Sequence, residues 1–356
     1  MVPGFSGTLR ATPREREMGP SIHASIVALA TLAHASRLAI PHTVECIHAM
    51  VTERARQFYT DGRTPAMVQI GAHLAWQNPN DPFGNLARAA RLRTVLVEPQ
   101  PHIASRLDAS VRASAGGADG GAVSVRNCAV CAGNDGNVTF YAITPRVDPM
   151  TGQLSGSSPD APQPKRVAHF TSQLASMSRE HILKHSKMLG PNAEELIVEL
   201  QVPCLQVASL LRAEAVAPDD VLVLSVDAEG FDAEIVMSVD FNSTRPFLLV
   251  WEFQHVVEGL TTSHLCENCP DGNTKEGKKA RWAIVHNVER HLASFGYFCW
   301  RVPPENMYCT SPSFGVAYTQ EQMDKCGSNV SSATARAVQH SRAVAKKMAH
   351  LEAASS

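Results

Sequence analysis

Val68-Gln69-Ile70-Gly71-Ala72 reads as a short apolar strand that runs into a glycine, and Val95-Leu96-Val97-Glu98-Pro99 repeats the pattern one strand–helix unit later, ending in a carboxylate. In a doubly wound sheet a ligand lies across the carboxyl ends of the strands, where a glycine turn lets backbone approach it closely. An acidic residue ending the next strand can accept hydrogen bonds from both hydroxyls of a ribose. Gly71 and Glu98 have the spacing for these two roles, with Gln69, Ala72 and His73 framing the turn. The pair does not distinguish one adenosine-bearing cofactor from another. The plainer reading of the same residues is a glycine that turns the chain and a glutamate that caps a helix.

Outward from these strands, β-type runs alternate with helical segments, the pattern of a sheet with crossover helices. The runs are Met67–Gly71, Thr94–Glu98, Val123–Asn127, Asn137–Tyr141, Val221–Asp227, Phe247–Glu252, Tyr297–Val302 and Phe314–Tyr318. Several are continuously apolar, as strands covered on both faces must be, so a mostly parallel central sheet is expected. Before the first strand, Val44, Ile47, Val51, Ala55 and Phe58 recur at three- and four-residue steps, one apolar helix face that Asp61-Gly62 ends. Residues 144–166 and 261–279 are polar and rich in turn formers, and read as loops of the kind that shape binding sites. A further helix is expected through Leu189. The chain divides into a leader over 1–42, one domain over 43–320, and a helical tail over 321–356.

Composition narrows the function classes. Hydrophobic residues make up 44% and charged residues 19%, an ordinary globular balance. A formal net charge of -2 supplies no positive field for a nucleic-acid backbone, so no nucleic-acid partner is expected. No run reaches the roughly 18–20 apolar residues of a membrane-spanning helix. Nine cysteines, few and scattered, favour a reducing, cytoplasmic setting. Against that stand Arg10, Arg14 and Arg16 before the apolar Ile26–Ala33, a targeting-like leader, and the glycosylation triplets at Asn137, Asn242 and Asn329.

The most specific stretch is Val223-Leu224-Ser225-Val226-Asp227-Ala228-Glu229-Gly230-Phe231-Asp232, a buried-type strand ending in three carboxylates. Here the sequence resembles the FkbM family of S-adenosylmethionine-dependent methyltransferases, whose corresponding strand ends in a similar Asp-x-Glu-Gly-aromatic-acid run. Gln69-Ile70-Gly71-Ala72, Val97-Glu98-Pro99, Asn127-Cys128-Ala129-Val130, Phe247–Glu252 and Gly296-Tyr297 follow in the family's order, and Ser172–Ser176 with Glu180-His181 fits one branch. The likeness spans about residues 60 to 320. One departure stands at the first turn, where the family's second glycine is replaced in His73-Leu74-Ala75. A turn rebuilt around His73 and Trp76 is the reading adopted, with Asn80-Asp81-Pro82 continuing as in some relatives.

The resemblance implies a Rossmann-like class I methyltransferase fold, S-adenosylmethionine as cofactor, and O-methylation of a hydroxyl on a saccharide or small metabolite. Gln69, Gly71, Ala72, His73, Glu98, Asn127 and Asp227 are the expected cofactor-binding residues; Asp227 and Glu229 at the end of a central strand, then Glu252 and His255 at the end of the adjacent one, are the expected catalytic residues. Asp232 is expected at a helix start. No metal is called for, since His264 and Cys266-Glu267-Asn268-Cys269 lack a second pair to complete a zinc site. Cys128 and Cys131 read as two partly buried thiols. Two other classes stay open: a catalytically silent scaffold of the same fold, and a nicotinamide-dependent oxidoreductase, against which the absence of Gly-x-Gly-x-x-Gly at Gly71 counts.

Overall fold

The computed structural model describes residues 44–74, 76, 81–114, 121–144, 175–184, 193–256, 265, 270, 274–302 and 305–311. The leader, the run Phe314–Tyr318, the tail, most of both polar loops, Ala75, Asn80, Ser172–Leu174, His264 and Cys266–Cys269 lie outside these residues.

Helix α1 (Val44–Thr60) buries Ile47, Val51, Ala55 and Phe58, the face its spacing predicts. Strand β1 (Ala66–Ile70) follows, then α2 (Pro82–Ala89), β2 (Arg93–Val97), α3 (Pro101–Ser114) and β3 (Val123–Arg126). Asp81 caps α2 by accepting the amide N–H of Gly84, and proline stands in the helix's first turn, where no backbone donor is needed. Later in the chain come α6 (Val207–Ala213), β8 (Val221–Val226), α7 (Asp232–Ser238), β9 (Leu248–Glu252), α8 (Lys275–Ser294), β10 (Phe298–Val302) and β11 (Asn306–Thr310). Helix α8 starts inside the segment expected to be a loop: Thr274 accepts from the Gly277 amide, and Ile284, Val285, Val288 and Leu292 supply its buried stripe.

Seven of these strands form one sheet in the order β10-β11-β9-β8-β1-β2-β3. Every neighbouring pair from β9 to β3 is parallel, and β11 is antiparallel to both its neighbours. Side chains alternate across the pleat. Val68, Ile70, Val95 and Val97 pack with α6, α7 and α8, while Met67, Leu222 and Val223 pack with α1 and α2. Burial on both faces explains why β1 and β8 are apolar along their length. The architecture is a mixed α/β domain of Rossmann-like form, as the strand–helix alternation predicts.

Between the two halves of this sheet the chain builds a second one, which the sequence reading did not anticipate. It comprises β4 (Ala129–Val130), β5 (Gly136–Ile143), β6 (Ala175–Ser176) and β7 (Ile197–Leu205), in the order β4-β7-β5-β6. The Asn137–Tyr141 run belongs here, antiparallel to β7, and not to the central sheet. Short helices α4 (Arg179–Lys184) and α5 (Ala193–Leu196) flank β6 and β7, so the helix expected through Leu189 is described only as far as Lys184. Phe140, Ala142, Val202 and Cys204 make this sheet's own core.

Disulfides correct the cysteine reading. Cys131 pairs with Cys204 across β4 and β7, Cys299 with Cys309 across β10 and β11, and Cys46 is disulfide-bonded as well, whereas Cys128 is a buried thiol. Cys128 and Cys131 are therefore not a pair of thiols.

At the centre of the large sheet, Gly71 has φ +77, and a Cβ on it would stand 1.7 Å from the Asp227 carbonyl oxygen. Gly71→Ala is expected to cost several kcal/mol, adding a backbone clash to the ~1 kcal/mol typical of a left-handed non-glycine residue. Gly62→Ala has nearly the same φ, +71, and open space around the new methyl. Urea unfolding of both variants separates the terms; equal losses would dismiss the steric one.

Candidate functional site

Strand order reverses between β1 and β8, and ligands of open α/β sheets bind at the carboxyl ends of strands beside such a switch point. A cleft opens there. Its floor is Ile70, Gly71 and His73 after β1, Val97–Gln100 after β2, and Asp227–Glu229 after β8; the second sheet roofs it with Ala129, Phe140 and Met177. Gly71, Glu98 and Asp227 therefore meet at one edge, and the space is half polar floor and half apolar roof.

The first turn is rebuilt without a second described glycine. His73 takes φ +42, and its amide N–H donates to Glu98 Oε2 at 2.8 Å, while the Gln100 amide donates to Oε1 at 2.8 Å. A carboxylate has about four lone-pair positions, and the Gln100 side chain takes a third, so one remains for a ligand. Burial pushes Glu98 up to about 7 against these two amides. Burial first, then His102 and Arg106, holds the His73 imidazole down at about 4, so it lines the cleft as a neutral ring.

The second turn, Asp227–Asp232, is organised by Asp232. Its Oδ1 accepts from the Ala228 and Glu252 amides and its Oδ2 from the Gly230 amide, joining the end of β8 to the end of β9. It occupies the first turn of α7, as expected, but its larger contribution is this three-amide knot. The knot lets Glu229 sit at φ +47, a strained position for a non-glycine residue, costing of order 1–3 kcal/mol. Asp227 is open to solvent in the cleft although protein rings it. Burial, then Glu229, Asp232, Glu305 and Glu98, pushes its carboxyl well above the usual range, and water in the cleft screens part of that push.

Glu229, Glu252 and His255 bring ligand-type atoms within 4.8 Å of one another, and Asp227, Asp232 and Glu252 do the same. His181, fully buried on α4, places Nε2 3.1 Å from Glu229 Oε2, and its ring meets the His255 ring edge-on at 5.1 Å. Ser176 of β6 donates to the Glu229 carbonyl. The second sheet thus holds the acidic turn from above.

Of the cofactor residues expected from sequence, Gly71, His73, Glu98 and Asp227 line the cleft. The other three stand elsewhere. Strand alternation turns Gln69 to the opposite face, where its side chain hydrogen-bonds Asp81. Ala72 packs with Leu74, Leu96 and Ile103. Asn127 Nδ2 donates to the carbonyls of Glu98 and Pro99, 2.9 Å each, and so shapes the loop after β2 from behind. All four expected catalytic residues gather at the acidic turn, two in the cleft wall and two beside it. His181, Phe140 and Met177 were not anticipated; the alternation of Val198, Leu200, Val202 and Cys204 in β7 was the signal for the sheet that carries them. Among the described residues no helix is long and apolar enough to cross a membrane.

No family model matches the chain, and no curated protein matches it. The likeness to FkbM methyltransferases rests on the motif residues alone.

Glu98 also sets a pH dependence. Its folded value lies above the ordinary 4.5, so the stabilisation it gives is fully present below about pH 4.5 and is lost as the pH rises through about 7. Across that window wild type should lose up to about 3 kcal/mol relative to Glu98→Gln, read from denaturant unfolding at each pH. A constant difference between the two proteins would contradict this account.

Proposed function

We propose that this chain is an S-adenosylmethionine-dependent methyltransferase that methylates a hydroxyl of a saccharide or small metabolite. The observation that carries the reading is the meeting of Gly71, Glu98 and the Asp227–Asp232 turn around one cleft at the sheet's switch point. The reversed β11, inserted between β9 and β10, supports the class I methyltransferase form over a dinucleotide-binding sheet, whose last strands run parallel in sequence order.

The cleft chemistry fits such a cofactor. Glu98 has a lone-pair position left for a ribose hydroxyl, Phe140 and Met177 offer an apolar cover for a purine, and Asp227 offers an accessible carboxylate to a cationic group. The bound cofactor would supply an already activated methyl group, which leaves the protein mainly the task of alignment. Glu229 and Asp227 stand at the cleft edge to orient an acceptor hydroxyl. Glu229, in contact with His181, and Glu252, beside His255, are the groups able to take its proton. The disulfides at Cys131–Cys204 and Cys299–Cys309 favour folding in an oxidising compartment.

Calorimetric titration of the purified chain with S-adenosylmethionine is the direct test, and saturable binding is the expected result. Glu98→Ala should weaken it by about 1–3 kcal/mol, the range for hydrogen bonds to a charged group. Asp227→Asn should cut transfer of labelled methyl to a metabolite and glycan extract while leaving the fold intact by circular dichroism. No binding by the wild-type chain would favour the silent scaffold; binding of a nicotinamide dinucleotide in its place would favour the oxidoreductase.

A further inference from the structure

Among the described residues every buried carboxylate but one is met by hydrogen-bond donors; Glu214 accepts from the Ser124 hydroxyl and the Arg126 guanidinium. Asp232 accepts three amides and Glu98 accepts two. Glu252 is more than nine-tenths buried, yet among the described residues no hydrogen bond reaches its carboxylate. Its nearest basic atom is His255 Nε2 at 3.5 Å, beyond the usual range for an N–H···O bond. Its strongest charged neighbours are Asp227, Asp232, Glu229 and Glu305, all acidic. Ringed by acids, with one imidazole nitrogen at 3.5 Å, this carboxylate lacks the positive partner that burial of charge requires.

We propose that Glu229, Glu252 and His255 form a binding site for a first-row divalent cation of the Mn2+ type. Their donor atoms lie within 4.8 Å of one another. Donors bonded to one ion at about 2.0–2.2 Å are separated by little more than 4 Å at most, so side-chain shifts of a few tenths of an ångström close the shell. Two carboxylate oxygens favour Mg2+ or Mn2+, and one imidazole nitrogen shifts the preference toward the transition-metal side. Three protein ligands leave coordination positions open toward the cleft, whose wall includes Glu229. Resting on the methyltransferase reading, those positions would take the acceptor's hydroxyl, which a divalent ion makes more acidic, so the preferred acceptor is one with vicinal hydroxyls able to chelate. His181 holds Glu229 from outside this shell, at 3.1 Å, as a positioning residue.

The experiment is titration of the metal-stripped, full-length chain with Mn2+, followed by electron paramagnetic resonance of the free ion, with no cofactor present. One tightly held Mn2+ per chain is expected. Glu252→Gln, which keeps the shape and removes the charge, should weaken binding at least tenfold, and so should His255→Ala at a less buried position. Glu199→Gln, an exposed change on β7, should leave it unchanged. No stoichiometric binding overturns the proposal, as does wild-type affinity in either ligand variant that folds by circular dichroism. S-adenosylmethionine binding is measured separately in metal-free buffer: Mn2+ bound without cofactor affinity retains the metal site and sinks the methyltransferase reading, and the converse sinks only the metal site.

Discussion

The contact on which this molecule depends is the one between Gly71 and the carbonyl of Asp227. β1 and β8 lie side by side at the centre of the sheet, in register from Met67↔Val223 to Ile70↔Val226, and the chain leaves both strands at the same level. The Asp227 amide donates to Ile70 O, and the Asp227 carbonyl occupies the space a side chain at position 71 would need. Only glycine allows β8 to finish so close to the first turn. The usual account of such a glycine gives the space to the ligand; here the neighbouring strand takes it, and the ligand-facing surface becomes Glu98, His73 and the Asp227 side chain.

Charge accumulates at that level because three parallel strands end there in acids. Asp227, Glu252 and Glu98 close β8, β9 and β2, and the strand spacing of about 4.8 Å keeps neighbouring ends close together. The fold answers each charge differently: amides receive Asp232 and Glu98, solvent reaches Asp227, and Glu229 meets His181. Glu252 is left with acids and one imidazole around it. The strained backbone at Glu229 and the raised carboxyl groups gather at this one corner, a combination that clusters at functional sites.

The second sheet turns an open edge into a cleft. It is inserted in the chain between β3 and β8, carries its own core, and is pinned by Cys131–Cys204 next to the strand that delivers Val130 to the cleft. Through Ser176 and His181 it also grips the acidic turn. An element inserted in the chain therefore serves both as roof and as clamp.

The sequence by itself determined six strands of the central sheet, though not β11, together with α1, the glycine turn and the acidic turn, because their signals are local: apolar runs, a helical period in Val44–Phe58, and a glycine or acid at a strand end. It also brought Asp227, Glu229, Glu252 and His255 forward as a group. It did not disclose that Gln69, Ala72 and Asn127 face away from the cleft, since strand alternation and a backbone-bound amide side chain are settled only when neighbours are in place. The roof was hidden too, because β7 is half buried and broken by Glu199, Gln201 and Pro203, and β4 and β6 are two residues long. Pairing Cys131 with Cys204, His181 with Glu229, and Glu252 with its acidic neighbours joins residues tens of positions apart. Such meetings follow from strand register and sheet order, and only the tertiary structure decides those.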